Sequence, residues 1–319
     1  MEEVQGDGVK VLFWGTPAFA VPSLRALLGE GHDVVGVVTR PDRPTGRGRK
    51  LTPPPVKEVA EDEGVPVLQP ERPRGEEFER AARALDPDLS VVVAYGQILK
   101  PEILALPAQG SVNVHASLLP ELRGAAPIHA AIMRGYAETG ITIMRMVEDL
   151  DAGPVLYQVR EPIGPDETAS ELSLRLSEIG AEALIEALAL LEGDAISEVE
   201  QDHARATYAP RLTTEDARID WTRDGASLAK RIRGLDETPG AWTTLHGTRV
   251  NLYRPVYESR EGGQPGEIRQ VEATTGGGII VSCGTGELLI REVKPEGKRR
   301  MSAAEWVRGS GPRRGDRFV

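Results

Sequence analysis

About the first 190 residues alternate between short apolar runs and longer segments in which Leu and Ala recur at helical spacing. Short apolar runs indicate β-strands, and apolar positions three and four apart indicate amphipathic helices. We predict strands over residues 9–14, 33–39, 65–68, 89–94, 111–115 and 141–147, and helices after residue 17 and over 56–64, 75–85 and 167–191. The strand at 89–94 is almost wholly apolar, as expected where both faces are covered. This alternation predicts an α/β fold with a doubly wound, mostly parallel sheet.

The pattern changes after residue 192. Residues 193–209 read as a linker, followed by a helix near 226–233. Short strand candidates then lie at 241–245, 250–254, 278–282 and 287–292, separated by glycine-rich turns. Such strands predict a small β-barrel. We therefore expect a flexible tail over residues 1–8, a larger domain over 9–192, the linker over 193–209, and a barrel domain over 210–319.

The charge is unevenly distributed along the chain. The net charge is −11, which by itself disfavours a nucleic-acid partner. Residues 40–57, however, hold six Arg or Lys against one Asp, and residues 291–319 hold nine against four acidic residues, so each segment carries +5. Two basic segments on an acidic body fit a protein that contacts a polyanion at chosen places. Solvated surface loops are the alternative explanation.

Several features limit the class of protein. The single cysteine, Cys283, excludes an internal disulfide framework, and no cluster of residues has zinc spacing, so we expect no metal site. Gly15-Thr16-Pro17 lacks the Gly-x-Gly-x-x-Gly pattern, which argues against a dinucleotide cofactor. No apolar run approaches the ~20 residues of a membrane span, and the first ten residues do not resemble a signal peptide. We predict a cytoplasmic protein that does not bind a membrane.

Three polar residues are the candidates for chemistry. Asn113 and His115 are two apart on a predicted strand, so their side chains should share one face. Asp151 follows the apolar run 141–147 in a turn-like segment, from which its carboxylate could orient the imidazole. An amide, an imidazole and a carboxylate suit transfer of an acyl group onto an amine. No Ser–His or Cys–His pair is evident, so direct attack by the amine is the simpler chemistry.

Further motifs surround these residues. They are Gly15 to Pro17, Arg40 to Lys50, Val91 to Gly96, Asn113 to Pro120, Arg123 to Ile128, Asp151 to Gly153 and Ala217 to Trp221. Together they resemble the methionyl-tRNA formyltransferase family, and the resemblance runs from about Val9 to Phe318. It implies a Rossmann-like catalytic domain followed by an OB-like barrel that binds tRNA. We expect a monomer.

The resemblance also implies the reaction and its residues. A formyl group would pass from 10-formyltetrahydrofolate, a reduced folate co-substrate, to the methionine amino group of initiator methionyl-tRNA, for translation initiation. Asn113 and His115 would stabilise the tetrahedral intermediate, and Asp151 would assist proton transfer. The division of proton transfer between His115 and Asp151 stays open.

The family also implies two sets of binding residues. The folate would contact Tyr95, Gly96, Gln97, Ile98, Leu99, Ser117, Leu118, Leu119 and Pro120. The tRNA would contact Arg43, Arg47, Arg49, Lys50, Lys298, Arg299 and Arg300. One departure is Glu121, which stands where many relatives carry a basic residue and would weaken a contact near the folate tail.

Other functions compete with this one. The same catalytic residues would serve formyl transfer to a small amine, such as a glycinamide ribonucleotide or a nucleotide-linked amino sugar, or hydrolysis of formyl-folate. The extra C-terminal domain disfavours the glycinamide enzyme, and the basic loop at residues 40–57 disfavours the sugar enzymes. A binding module without catalysis is a different class of protein, and the intact Asn113, His115 and Asp151 argue against it.

Overall fold

The computed structural model describes residues 9–45, 48–260, 262–272, 274, 276–309 and 311–319. Backbone contacts divide the chain into two compact units. The first comprises Met1–Pro127, Thr139–Pro162 and Ser173–Ala209, and the second comprises Ile128–Glu138, Ile163–Leu172 and Pro210–Val319. The predicted tail, residues 1–8, lies outside the described residues. Within the described part of the chain, no helix is both long and apolar enough to cross a membrane.

The first unit is built on a seven-stranded sheet with the order β5-β2-β1-β6-β7-β8-β9. The strands outside the basic loop are β1 (Lys10–Gly15), β2 (Asp33–Val38), β5 (Val67–Leu68), β6 (Leu89–Val93), β7 (Ser111–His115), β8 (Glu138–Arg145) and β9 (Val155–Pro162). The five strands β5, β2, β1, β6 and β7 pair in parallel with their neighbours, and β8 pairs antiparallel with β7. The predicted doubly wound, mostly parallel sheet is confirmed.

Helices connect these strands or follow the last of them. They are α1 (Val21–Gly29), α2 (Pro55–Asp62), α3 (Glu76–Ala84), α4 (Pro101–Leu104), α5 (Pro127–Arg134) and α6 (Ala169–Glu192), with a 3-10 turn at Ala18–Ala20. All five residues of β6 are buried, in agreement with their continuous apolar run. The indole of Trp14 on β1 donates to Ser90 Oγ on β6 at 3.0 Å, which satisfies both buried polar groups.

The strand order reverses between β1 and β6, and this reversal positions the candidate site. In open α/β sheets, ligands bind outside the carboxyl ends of the strands at such a switch point. The hydroxyl of Thr16, just after β1, donates to the Tyr95 carbonyl just after β6 at 3.0 Å. The two strand ends are thereby held together beside the switch point.

Some elements differ from their predicted positions. The strand predicted at 141–147 spans Glu138–Arg145, because its polar first residues pair with the sheet although they lack the apolar pattern. Strand β9 was not predicted, since only Leu156 of its eight residues is buried and its sequence is mostly polar. The basic loop contains a short hairpin of β3 (Arg43–Thr45) and β4 (Lys50–Thr52), where no strand was predicted.

The second unit contains an antiparallel sheet in the form of a half-barrel. Its elements are α7 (Gly225–Leu235), β10 (Trp242–Leu245), β11 (Thr248–Glu258), β12 (Ile268–Val271), β13 (Ile279–Ser282), β14 (Glu287–Pro295), β15 (Met301–Ser302) and α8 (Ala303–Arg308). The order is β10-β11-β14-β13-β12, and β15 pairs with β14. The rings of Trp221 and Phe318 stack at 5.6 Å in its core. The predicted small C-terminal β domain is confirmed.

Cys283 follows β13 directly and packs in the core of this second unit. The thiol is buried, and burial raises its pKa to about 12. In the described part of the chain, no group of three or more His, Cys, Asp or Glu side chains could hold a metal ion.

Candidate active site

Strand β7 brings two of the predicted catalytic residues to the centre of the first unit. His115, its last residue, is 6% exposed, and Asn113 is half-buried two positions earlier. The Asn113 side chain has no hydrogen-bond partner among the residues that the structure describes. Its amide is therefore available to a bound substrate, while the neighbouring imidazole is held by the protein.

The imidazole of His115 contacts a different group through each of its nitrogens. Nε2 lies 3.1 Å from the carbonyl oxygen of Leu122, and Nδ1 lies 3.7 Å from Oδ2 of Asp151. A carbonyl can only accept a hydrogen bond, so Nε2 must carry a hydrogen. Nδ1 is thus the nitrogen that the Leu122 contact leaves available, and it faces the Asp151 carboxylate at an ion-pair distance.

Leu122 is held in an unusual backbone conformation that aims its carbonyl at His115. Its φ is +61°, in the left-handed region that a bulky buried residue rarely adopts. The Leu122 amide donates to Thr207 Oγ1 at 2.9 Å, which ties this residue to a segment far along the chain. Such strain persists only where surrounding contacts determine it, and it is frequent at functional sites.

Asp151 is fixed by its own backbone geometry and by a nearby amide. Its φ is +49°, and its side chain is 12% exposed. Oδ2 accepts a hydrogen bond from the Gly124 amide at 2.7 Å, so the carboxylate is anchored beside the imidazole. A Cβ on Gly153 would lie 2.0 Å from the Arg145 carbonyl oxygen, so only glycine lets this loop pack against β8. The structure therefore brings the side chains of His115 and Asp151 together, and alternation along β7 puts Asn113 on the same face of the strand as His115. The catalytic roles of these three residues stay a prediction.

The turn at residues 117–120 is tied to the neighbouring strands by two polar side chains. Thr142 on β8 donates through Oγ1 to the Ser117 carbonyl at 2.6 Å and accepts from the Leu119 amide at 3.2 Å. Gln158 on β9 donates to the Leu119 carbonyl at 3.0 Å. Thr142 and Gln158 could not be identified from the sequence, because a polar residue within a strand pattern gives no signal of its distant partner.

The segment after β6 separates into buried and accessible residues. The side chains of Tyr95 and Leu99 belong to the core, and Tyr95 packs edge-on against Trp14 with ring centroids 5.3 Å apart. Burial raises the pKa of Tyr95 to about 12. Gly96 is exposed with a φ of +85°, and Ile98 is 81% exposed. A ligand at this edge could meet the backbone near Gly96 and the side chain of Ile98, whereas Tyr95 and Leu99 support it from below.

Gln97 lies between these two groups. Its side-chain amide donates to the Glu71 carbonyl at 3.1 Å, and the residue is half-buried. Leu118, in the turn at 117–120, packs against Gly140, where an added Cβ would lie 2.6 Å from its Cδ2. The predicted folate residues thus line two neighbouring strand ends of the first unit, and their contacts with folate stay a prediction.

The basic loop presents its charges at the hairpin. Arg43, Arg49 and Lys50 are all exposed, whereas Arg47 lies outside the described residues. The base of the hairpin is fixed by Asp42, whose carboxylate accepts from Gln69 at 2.7 Å and from Lys57 at 3.0 Å. These hydrogen bonds lower the pKa of Asp42, Gln69 having the larger effect. The hairpin that carries the exposed cations is therefore anchored to the rest of the first unit through Asp42.

The predicted cations of the second unit differ in accessibility. The Arg299 side chain is 83% exposed and lies 4.0 Å from a Glu305 carboxylate oxygen. Arg300 is instead engaged within its own unit: its guanidinium lies 4.0 Å from the ring centroid of Tyr253 and pairs with Glu292 at 2.7 Å and with Glu237. Lys298 also has a partner within the protein. Arg299 is thus more accessible to an external anion than Arg300.

Two family models match the chain in consecutive segments. The model described as "Formyl transferase" matches residues 9–188, and the one described as "Formyl transferase, C-terminal domain" matches residues 211–311. Similar full-length relatives include a methionyl-tRNA formyltransferase of Geobacter sulfurreducens, 47% identical over 95% of this chain and 94% of its own length. Another, from Symbiobacterium thermophilum, is 48% identical over 97% of this chain and 95% of its length.

A solved structure supports the same fold. HypX from Aquifex aeolicus in complex with tetrahydrofolic acid superposes with a TM-score of 0.64 at 19% identity. The match covers 95% of this chain but only 47% of the HypX chain, so the present chain spans about half of that protein. Given the two family models and relatives nearly half identical over almost their full length, the chain belongs to the methionyl-tRNA formyltransferase family of formyl-transferring enzymes.

Proposed function

We propose that this protein transfers a formyl group from 10-formyltetrahydrofolate to the methionine amino group of initiator methionyl-tRNA. The observation that carries the proposal is the grouping of Asn113, His115 and Asp151, with Nδ1 of His115 3.7 Å from the Asp151 carboxylate. This group lies at the carboxyl end of a parallel sheet, where α/β proteins bind ligands. The identity to named formyltransferases over 95% of the chain supports the choice of reaction.

The first step is attack of the free amine on the formyl carbon. A carbon–nitrogen bond forms, and the carbonyl π electrons move to the oxygen, which becomes an oxyanion. The unpartnered amide of Asn113 can donate a hydrogen bond to this oxygen. Because Nε2 of His115 is committed to Leu122, the imidazole can donate to the oxyanion only through a protonated Nδ1. Preorganised donors of this kind contribute about 10²–10³ in rate each.

The hydrogen bonding suggests how proton transfer is divided. An imidazole that donates from both nitrogens is an imidazolium, and the Asp151 carboxylate beside it stabilises that charge. Asp151 is then the group that takes the proton which the attacking amine loses. As the intermediate collapses, the bond from carbon to the folate N10 breaks and N10 gains a proton. Asp151 can return the proton it accepted, so the site ends the cycle in its starting state.

The two binding regions supply the substrates. The turn at 117–120 and the segment at 95–99 flank Asn113 and His115 in sequence and would hold the folate. The exposed cations of the hairpin, Arg43, Arg49 and Lys50, together with Arg47, would contact the acceptor end of the tRNA. Residues 298–300 of the second unit would contribute phosphate contacts, which add affinity that depends on salt.

The test is transfer of labelled formyl from 10-formyltetrahydrofolate to methionylated initiator tRNA, with methionylated elongator tRNA as the control acceptor. We expect strong transfer to the initiator and weak transfer to the elongator. Absence of transfer to either tRNA by a folded protein that still binds folate would contradict the proposal. In that case, a small amine would become the candidate acceptor.

A further inference from the structure

We infer that Arg123 and Gln201 are positioning residues that fix Asp151 for catalysis, and that residues 199–209 form part of the active centre. The inference rests on the proposed function for its kinetic consequences. Its structural basis is a chain of short hydrogen bonds within the first unit. Neither Arg123 nor Gln201 was assigned a role from the sequence.

Arg123 is a buried cation with neutral partners. It is 3% exposed, and its Nε and Nη2 donate to Oε1 of Gln201 at 3.1 and 2.6 Å. Nη2 also lies 3.0 Å from Nδ1 of His203. Within the described part of the chain it forms no ion pair with a carboxylate. Buried charges are usually paired, so a guanidinium held mainly by an amide is an uncommon arrangement that requires a reason.

Gln201 connects this cation to the backbone of the catalytic loop. The residue is 6% exposed, and its Nε2 donates to the carbonyls of Asp151 at 3.0 Å and Gly153 at 2.7 Å. The orientation of the amide is determined by chemistry, because a guanidinium requires an oxygen on one side and two carbonyls require N–H donors on the other. Neither a carboxylate nor an apolar side chain can satisfy both sides.

The backbone next to Arg123 also holds Asp151, at its side-chain carboxylate. The Gly124 amide, which binds the Asp151 carboxylate, directly follows Arg123. The Arg123 backbone is itself paired with the 199–209 segment, since its amide donates to Thr207 and its carbonyl accepts from Ala209, at 2.8 and 2.7 Å. Asp151, whose backbone is left-handed, is thus held at two groups. Gln201 binds its main-chain carbonyl, and the Gly124 amide binds its side-chain carboxylate.

The segment also supports His115. Thr207 Oγ1 accepts from the Leu122 amide at 2.9 Å, and the Leu122 carbonyl accepts from His115 Nε2. Residues 199–209, more than forty residues after Asp151, therefore bind the backbone of Leu122 and Arg123. Leu122 contacts the His115 imidazole, and Gly124, next to Arg123, contacts the Asp151 carboxylate. A displacement of about 1 Å of a catalytic group can cost 10²-fold in rate, so this support has catalytic consequences.

The experiment compares Gln201→Glu and Gln201→Leu in the full-length chain. The Gln201→Glu change would keep an oxygen for Arg123, which preserves the buried contact, but would replace the N–H donors that hold Asp151 and Gly153. The Gln201→Leu change removes both interactions. The matched control is Ser90→Ala, which removes a buried hydrogen bond to Trp14 in the same unit and none of the hydrogen bonds made by Asp151, His115 or Gln201.

The readouts are kcat, the KM for folate, and hydrogen exchange of the Gly124 amide in the folate-free protein. We expect both Gln201 variants to lower kcat about 10- to 100-fold with a KM for folate within about twofold of wild type. Exchange at Gly124 should become at least about tenfold faster, because the carboxylate that accepts its hydrogen is no longer fixed. The Ser90→Ala variant should change neither kcat nor this exchange by more than about twofold.

Two results would overturn the inference. One is a Gln201→Glu variant with at least about half of the wild-type kcat, which would show that only the contact with Arg123 matters. The other is unchanged exchange at Gly124 in both Gln201 variants. If the wild-type protein transfers no formyl to methionyl-tRNA, the proposed function fails, but the exchange measurement still decides whether Gln201 fixes Asp151.

Discussion

The proposed catalytic centre and the basic hairpin of the first unit are organised in opposite ways. His115 is buried and Asp151 is half-buried, and each is held by backbone groups that leave little freedom. Arg43 and Lys50 stand exposed on three-residue strands. A group that stabilises a transition state must be oriented before the reaction, whereas a cation that binds phosphate acts over several ångströms. Changes in the centre should therefore affect kcat, and changes in the hairpin should affect KM and its dependence on salt.

The largest effect is expected from removal of the two proposed oxyanion donors. His115→Ala and Asn113→Ala should each lower kcat at least about 100-fold with the fold intact, because each removes a donor to the developing charge. Steady-state formyl transfer with both substrates saturating measures this effect, and thermal unfolding checks the fold. If either variant keeps more than about a tenth of wild-type turnover, that residue does not act on the transition state.

A substitution that touches no polar side chain should also disable the centre. In Gly153→Ala, the new Cβ would lie 2.0 Å from the Arg145 carbonyl oxygen, so the loop carrying Asp151 must move. We expect a loss of stability of about 1–3 kcal/mol or more, together with a large fall in kcat. The measurements are denaturant unfolding and formyl transfer. The matched control is Gly29→Ala at the end of α1, where a Cβ meets nothing within 4 Å.

In that control, stability should stay constant or rise slightly, because alanine favours a helix more than glycine does. Equal behaviour of the Gly153 and Gly29 variants would show that the loop adapts easily. The centre would then resemble the hairpin in its tolerance of movement, and the comparison between the two regions would lose its basis.

The hairpin should respond differently from the centre. The double change Arg43→Ala and Lys50→Ala should raise the KM for methionyl-tRNA about tenfold and lower the salt dependence of binding by about one to two phosphate contacts, with kcat nearly unchanged. Arg80→Ala, which removes an exposed cation on α3, serves as the control. An equal loss with a minimal amine acceptor would contradict the assignment of the hairpin to tRNA.

The sequence predicted the parts of the site that follow local rules. Asn113 and His115 share a strand, and alternation along a strand was sufficient to place them together. Gln201 and Thr207 could not be predicted, because their partners lie far away in the chain and a hydrogen bond over that separation has no periodic pattern. The left-handed backbone of Leu122 also gives no signal, since leucine is not a residue that favours that conformation.

Long apolar elements of the fold could be predicted from the sequence, whereas short polar ones could not. The strand at 89–94 was predicted from its continuous apolar residues, and β6 spans Leu89–Val93. The hairpin strands of the basic loop were missed because each has only three residues and one contains Pro44, a residue that disfavours strands. Short polar elements depend on contacts from outside the element, such as those of Asp42 with Lys57 and Gln69.

The smallest effects are expected from neighbouring arginines of the second unit, which repeat the contrast within one loop. Arg300→Ala should lower the unfolding free energy by about 1 kcal/mol, because it removes the contact with the Tyr253 ring and partly exposed ion pairs with Glu292 and Glu237. Arg299→Ala should leave stability unchanged, since that side chain is 83% exposed. Tm and the salt dependence of tRNA binding should be measured for both variants. A weaker salt dependence in Arg299→Ala but not in Arg300→Ala would show that accessibility, rather than charge alone, determines which cation binds the RNA.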